Sequence, residues 1–156
     1  MKKDLEYIQS IIDDIPQLQY LDKTELNVLV QYISYERINK GTVLFKEGTI
    51  GKTLYFIGVG KVEIKKESLS GNQAVLAQYG KGASIGEMSL LDEAPRSATA
   101  TVVEDAELLM LNKKEFDEIL DKYPWIGIKI LKNIAKQISM RLRHTSGRFA
   151  DVFDTR

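Results

Sequence analysis

The spacing of apolar side chains changes period twice along the chain, from helical to alternating and back. Leu5, Ile8, Ile11, Ile12 and Ile15 recur at helical intervals, which predicts an amphipathic helix over 4–15 that Pro16 ends. A second helix is expected from Asp22. Its carboxylate can accept from the Glu25 N–H while Glu25 reaches back, a capping box, and Leu26, Leu29, Val30 and Ile33 form its buried stripe. From Arg37 the period shortens to two. Residues 42–45, 53–59, 61–66 and 73–79 read as strands, with a turn at 47–51, a break at Gly60, a hairpin loop at 68–72 and a turn at 80–82. Val62 and Ile64 point inward. Two more strands, 98–103 and 107–111, are expected around a turn at Asp105. So many short strands between glycine turns predict a sandwich, jelly roll or small barrel.

Helical spacing returns at Asn112, a good N-cap with Glu115 three residues on. Phe116, Ile119 and Leu120 make one face, and Tyr123-Pro124 stops the helix. The last helix carries Ile128, Leu131, Ala135, Ile138, Leu142, Thr145, Phe149 and Val152, spaced alternately three and four. That is a heptad stripe, roughly 36 Å long at about 1.5 Å per residue, too long for a domain this small to cover. A homodimer through this helix is therefore expected, although Lys132, Arg141 and Arg148 beside the stripe offer no opposite charges to pair. No repeat, low-complexity segment or linker interrupts the chain. One domain over 1–156 is expected, with N-terminal helices over 1–36, strands over 37–111 and C-terminal helices over 112–156.

Composition narrows the function classes. The 156 residues hold 22 basic and 22 acidic side chains, so no global field argues for nucleic acid or membrane binding. There is no cysteine, which removes disulfides, thiolate catalysis and cysteine-ligated metal. The start, Met1-Lys2-Lys3-Asp4-Leu5-Glu6, is no signal peptide, and no apolar stretch approaches the roughly 20 residues of a membrane span. A cytoplasmic protein is expected. The zero net charge hides a split. Residues 4–36 carry seven acids and one base, and residues 124–150 six bases and no acid. Either the two ends attract each other or face water, or the basic helix draws an anionic ligand or partner.

Several chemistries fall away. Gly51-Lys52-Thr53 looks like the end of a phosphate-binding P-loop, but residue 46 is lysine and a strand, not a helix, follows. His144 is the only histidine, so a histidine metal site is excluded; a partly exposed helix position is expected for it. Ser84, Ser89 and Ser97 have no histidine base beside them, and Glu47 and Glu63 are not a carboxylate pair. No enzyme activity is expected. Trp125 at the helix start is read as packing, with stacking on a ligand's base as the alternative.

The stretch 85–99, Ile-Gly-Glu-Met-Ser-Leu-Leu-Asp-Glu-Ala-Pro-Arg-Ser-Ala-Thr, holds the remaining chemistry. Glu87 and Arg96 stand nine positions apart across a turn of helix and can face one small anion. Arg96 offers paired donors to phosphate oxygens, and the Glu87 carboxylate can accept from a ribose 2′-hydroxyl. Gly86 permits close backbone approach. A short helix starting near Glu87 would point free N–H groups at the anion. Ser97 and Ala98 are small, and the Ser97 hydroxyl can donate. Met88, Leu90 and Leu91 are read as core holding the short helix down. The competing reading is a Glu87–Arg96 salt bridge across a surface turn.

The surroundings add weight to the first of these. Phe45-Lys46-Glu47-Gly48, Leu54-Tyr55-Phe56-Ile57, Gly60-Lys61-Val62 and residues 82–102 together resemble the cyclic nucleotide-binding domain family. That family includes bacterial catabolite activator proteins, regulatory subunits of cyclic-AMP-dependent protein kinase and nucleotide-gated channels. The resemblance covers about residues 20–150 by motif order. It implies a mainly β fold, a β-roll (double-stranded β-helix or jelly roll) with N-terminal helices and a long C-terminal helix. It also implies a phosphate-binding cassette over 85–99, whose family pattern Gly86, Glu87, Met88–Leu91, Arg96, Ser97 and Ala98 match without departure. Arg141-Leu142-Arg143-His144-Thr145-Ser146 resembles the dimer helix of catabolite activator-like proteins, which makes Thr145 and Ser146 candidate purine contacts; surface and seam roles are the alternative. The implied ligand is cyclic AMP, with cyclic GMP open because Ser97 can meet a guanine amino group, and no metal. Because the chain stops at Arg156, no DNA-binding domain is expected within it. The expected function is a receptor module that couples the ligand to its last helix. A ligand-free dimerising scaffold of the same fold is the alternative.

Overall fold

A computed structural model describes residues 2–154. Helix α1 (Lys2–Asp13) is followed by a 3-10 turn that starts at Pro16, then by α2 (Lys23–Leu29). Strands β1 (Ser34–Ile38), β2 (Val43–Phe45), β3 (Thr53–Glu67), β4 (Gln73–Tyr79), β5 (Ser84–Ile85) and β6 (Thr99–Asn112) form one antiparallel sheet, with the short α3 (Met88–Leu91) between β5 and β6. Helices α4 (Lys113–Lys122) and α5 (Pro124–Phe153) close the chain. The sheet order is β1-β6-β3-β4, with β2 also on β6 and β5 also on β3.

The long strands β3 and β6 carry the fold because they are buried on both faces. Phe56 pairs with Leu109 and faces the helices; the next pair, Ile57 and Leu108, faces the interior of the roll. One apolar cluster packs Ile8, Ile12, Ile15 and Leu18 with Ile126, Ile130 and Ile134 of α5 against the outer face. The other fills the roll with Ile57, Val62, Ile85, Ala100, Val102 and Leu108.

Four expectations about element bounds and caps change. The strands expected at 53–59 and 61–66 are one, β3. Gly60, at φ +88°, makes an irregularity in the ladder rather than a turn, and a Cβ there would lie 2.4 Å from the Asp105 carbonyl and 2.7 Å from Ala106 Cα. The strands at 98–103 and 107–111 are likewise one, β6, and Asp105 does not turn the chain; its carboxylate accepts from the Lys40 N–H at 2.7 Å. Helix α2 stops at Leu29 and β1 begins at Ser34, three residues before the expected boundary, so Ile33 is buried outside the helix. Asn112 sits at the N-cap of α4, but its side chain makes no cap bond and accepts instead from the Thr53 hydroxyl at 2.7 Å.

Other local signals are realised. The Asp22–Glu25 capping box forms with bonds of 2.8 and 2.9 Å. The same Glu25 receives Lys129 of α5 at 2.7 Å, so the acidic and basic ends attract at this point. Helix α5 runs 30 residues, but the side it buries is Ile126, Gly127, Ile130 and Ile134 rather than the heptad stripe. Leu131 and Ile138 lean on the body, and every residue from Leu142 to Phe153 is exposed. Trp125 is 74% exposed and is not a packing residue. Among the described residues, no helix is long and apolar enough to cross a membrane.

Gly60→Ala is expected to cost about 3 kcal/mol of unfolding free energy, from backbone strain and a clash against backbone that cannot move aside. Urea unfolding of the variant measures this, and a loss below about 1 kcal/mol would mean the strand irregularity is soft.

Candidate functional site

The site is built where β5 leaves the sheet. Ser84 and Ile85 pair with Phe56 and Tyr55 of β3. Gly86 then turns at φ +78°, a conformation that glycine adopts at low cost, and Glu87 opens α3. The chain returns through 92–98 to β6. Its exit is fixed by backbone: the Arg96 N–H donates to the Thr49 carbonyl and the Gly48 N–H to the Arg96 carbonyl, both at 2.8 Å. The loop after β2 therefore holds Arg96 in register before its side chain does anything.

The residue is only 6% exposed. Its Nη2 donates to the Thr53 carbonyl at 3.0 Å and Nη1 to the Gly86 carbonyl at 3.4 Å, the guanidinium lies 4.1 Å from the centre of the Phe45 ring, and Nε has no partner. Burial pushes the Arg96 pKa below its ordinary value, opposed by the nearby Tyr55 and Glu87. Two glycines make room for it. A Cβ on Gly51 would lie 2.1 Å from Nε and one on Gly86 2.6 Å from Nη1. Gly51, set aside with the P-loop resemblance, is thus the floor of the arginine's seat.

Glu87 does not pair with Arg96. Its carboxylate, also 6% exposed as a residue, accepts a charged hydrogen bond from Arg141 of α5, and the same guanidinium donates to the Ser84 carbonyl at 2.5 Å. Arg141 also lies 4.4 Å from the centre of the Tyr79 ring. One turn earlier on α5, Gln137 accepts from the Ser84 hydroxyl at 2.7 Å. The surface salt bridge that competed with a ligand site is therefore absent, and the long helix grips β5 and the start of the cassette at two points.

A cavity of about 130 Å³ opens between these groups. Phe45, Ile64, Tyr79 and Ile85 line its apolar side; Gly86, Glu87, Met88, Arg96, Ser97, Ala98 and Arg141 line much of the rest, which Ser89, Asp92, Ala94 and Pro95 complete. Six of the residues singled out from sequence thus converge. Thr145 and Ser146 do not; both are exposed on α5, one turn beyond Arg141. Met88 and Leu91 are not core: Met88 is 49% exposed at the cavity wall, and of the apolar three only Leu90 is buried. The first-turn amides are also less free than expected, since Ser89 N–H bonds to the Gly86 carbonyl and Leu90 N–H to that of Glu87. Ser97 is held from outside, its carbonyl accepting from Lys66, which also bonds Glu47. The Glu67 N–H and then Lys66 lower the Glu47 pKa below the usual carboxylate value. Sequence reasoning missed Phe45, Gly51, Tyr79 and Arg141 as site residues. Their only signal was a place in motifs read for other reasons.

The model of the cyclic nucleotide-binding domain matches residues 35–123, more than half of the chain. The chain belongs to the cyclic nucleotide-binding domain family. It is 34% identical over 128 residues to the cyclic AMP receptor protein of Thermus thermophilus, covering 82% of this chain and 57% of that protein. Among solved structures, a cyclic nucleotide-binding domain from Methylobacillus flagellatus superposes with a TM-score of 0.84 at 27% identity, covering 96% of this chain and 84% of that one. The regulatory domain of Toxoplasma gondii protein kinase A, solved with cAMP, gives 0.67 at 29% identity, covering 76% and 45%. The domain spans little more than half of the Thermus receptor's length, and only 9% of a lysophospholipase, NTE1 of Chaetomium globosum, to which it is 32% identical over 142 residues.

In this cyclic nucleotide-binding domain the Glu87–Arg141 pair should resist dissection. Arg141→Met leaves the Glu87 carboxylate in a mostly buried place without its cation and is expected to cost about 2 kcal/mol, part of it restored when Glu87→Gln is added. Denaturant unfolding of the two single variants and the double variant measures the coupling; strict additivity would show that the pair contributes nothing.

Proposed function

We propose that the chain is a receptor module for a cyclic nucleotide, with cAMP as its ligand, and that the ligand acts on α5. The observation that carries this is the cationic seat. Arg96 is buried beside a cavity, bonded to two carbonyls and, among the described residues, to no carboxylate, and its Nε–H has no acceptor. A buried cation of this kind is completed by an anion. Across the same cavity Glu87 spends its Oε1 on Arg141, which leaves Oε2 for a ribose hydroxyl. In this assignment Arg96 and the Ser97 hydroxyl take the phosphate, Gly86 allows close approach, and Met88 and Ala98 shape the wall. A cavity of about 130 Å³ is small beside the roughly 300–1,000 Å³ of typical small-molecule pockets. It can seat phosphate and sugar and leaves the purine at the mouth, on the side where α5 crosses.

The coupling follows from Arg141. A hydroxyl that bonds Glu87 shares the carboxylate with Arg141 and so shifts the balance between arrangements of α5. Thr145 and Ser146 reach the purine only if that helix moves or a second copy supplies them. The second copy has a place: Leu142, Phe149 and Val152 lie exposed along the projecting helix, and a homodimer through them is part of the proposal. The names of the Thermus receptor and of the Toxoplasma structure support cAMP; cGMP stays as the alternative because Ser97 lies beside Arg96. A regulatory, non-catalytic module of the cytoplasm is the role that accords with this site. The lysophospholipase match involves only a small part of that longer protein.

Calorimetric titration with cAMP and with cGMP tests the ligand. Saturable heat is expected, stronger for cAMP, and no heat with either at millimolar concentration rejects the proposal in favour of the scaffold. Arg96→Ala is expected to weaken binding by about 1.5–3 kcal/mol, the range for a charged hydrogen bond; unchanged affinity would remove Arg96 from the site. In sedimentation, the pair Leu142→Asp and Phe149→Asp is expected to convert a dimer to a monomer, and a wild-type chain that already sediments as a monomer would discard the dimer.

A further inference from the structure

A second cavity, of about 450 Å³, lies on the other side of Arg141, between the 3-10 turn and the middle of α5. Its size falls within the roughly 300–1,000 Å³ of small-molecule sites. Two rings and a thioether are among its lining residues, Tyr20, Tyr79 and Met140, with Arg141 over one face of Tyr79. Its cation is Lys136, whose ammonium sits 5.9 Å from the centre of the Tyr20 ring. The one hydrogen bond of that ammonium is a 3.5 Å contact to the Tyr20 hydroxyl. Among the described residues Lys136 has no carboxylate partner, unlike Lys129 two turns earlier on the same face, which is held by Glu25. Polar groups of its lining are also incompletely used. Gln137 spends its carbonyl on Ser84 and keeps its amide donors; Asn133 spends its amide on the Lys129 carbonyl and keeps its oxygen; Gln17 Oε1 has no partner.

We propose that this cavity is a second ligand site, distinct from the cassette, for a planar aromatic anion. Its ring system would lie between Tyr20 and Tyr79 and its acid group against Lys136. Aromatic faces favour a flat ligand by stacking and by contact with the thioether. The unpaired ammonium favours a negative charge, and the free amide of Gln137 adds a donor on the same side. The two cavities share a wall, because Tyr79 and Arg141 line both. A ligand held there sits against the guanidinium that α5 offers to Glu87. The site does not depend on the cassette being occupied, since none of Arg96, Glu87 or Ser97 lines it.

Chemical-shift mapping of the isotopically labelled chain with 2-naphthoate as the probe tests this. Saturable changes are expected at Tyr20, Ala83, Lys136 and Met140. Lys136→Glu, an exposed side chain whose replacement leaves the core intact, is expected to weaken the probe by about tenfold or more, with an unchanged Tm as control. Arg96→Ala, which disables the cassette, is expected to leave the probe's affinity as it was. That arm separates this site from the cyclic nucleotide site, whichever way the nucleotide titration turns out. Shift changes confined to 86–98, a titration that stays linear, or equal affinity in Lys136→Glu would each overturn the proposal.

Discussion

The buried guanidinium of Arg96 is the constraint around which the rest of the site is arranged. A cation taken out of water loses hydration that must be replaced by fixed dipoles or an anion. Here two backbone carbonyls and the face of Phe45 supply part of that replacement. The carbonyls belong to Thr53 and Gly86, so the arginine ties the start of β3 to the turn after β5. The seat exists only because Gly51 and Gly86 carry no side chain where the guanidinium lies. Backbone bonds from Gly48 and to Thr49 hold the arginine's own main chain. Two strand connections and the cassette thus converge on one charge, whose solvation shell is incomplete and which lines the cavity that an anionic ligand would enter.

The second charge in the site works differently. Arg141 comes from α5, far along the chain, and reaches Glu87 and Ser84 while covering Tyr79. β5 and the cassette are gripped from a helix that projects beyond the body, and the proposed coupling would run outward from Glu87 through this contact. The route is short. Gln137 and Arg141 are one turn apart, and the exposed apolar end begins at Leu142. Ion pairs in such half-buried places add little net stability but are costly to break on one side only, which suits a contact that exchanges partners rather than one that merely holds.

The helical ends and the cassette were legible in the chain because their signals are local. A capping box needs residues three apart, a proline stops the helix before it and can open the next one, as at Pro124, and Gly86, Glu87 and Arg96 lie in one short stretch. The roll was legible in outline only. Phe56-Ile57 and Leu108-Leu109 are adjacent apolar residues because β3 and β6 are covered on both faces. This erases the alternation by which strand ends are read, so Gly60 and Asp105 looked like turns inside continuous strands. Trp125 failed in the opposite sense, since an apolar residue seeks cover that this domain does not provide; the stripe from Leu142 onward is left uncovered by the domain, as its length led one to expect.

By itself, then, the sequence determined where helical segments give way to strands and back, the presence of Gly86, Glu87 and Arg96 in one stretch, and the absence of cysteine and of a histidine cluster. Those are properties of composition and of neighbours along the chain. Only the tertiary structure decided that Glu87 answers to Arg141 and not to Arg96, that Gly51 and Phe45 make the arginine's seat, and that Thr145 and Ser146 stand outside the cavity. Each of these joins residues tens of positions apart, and side-chain pairing over such distances is set by the packing of strands and α5 around two cores, which no local pattern encodes.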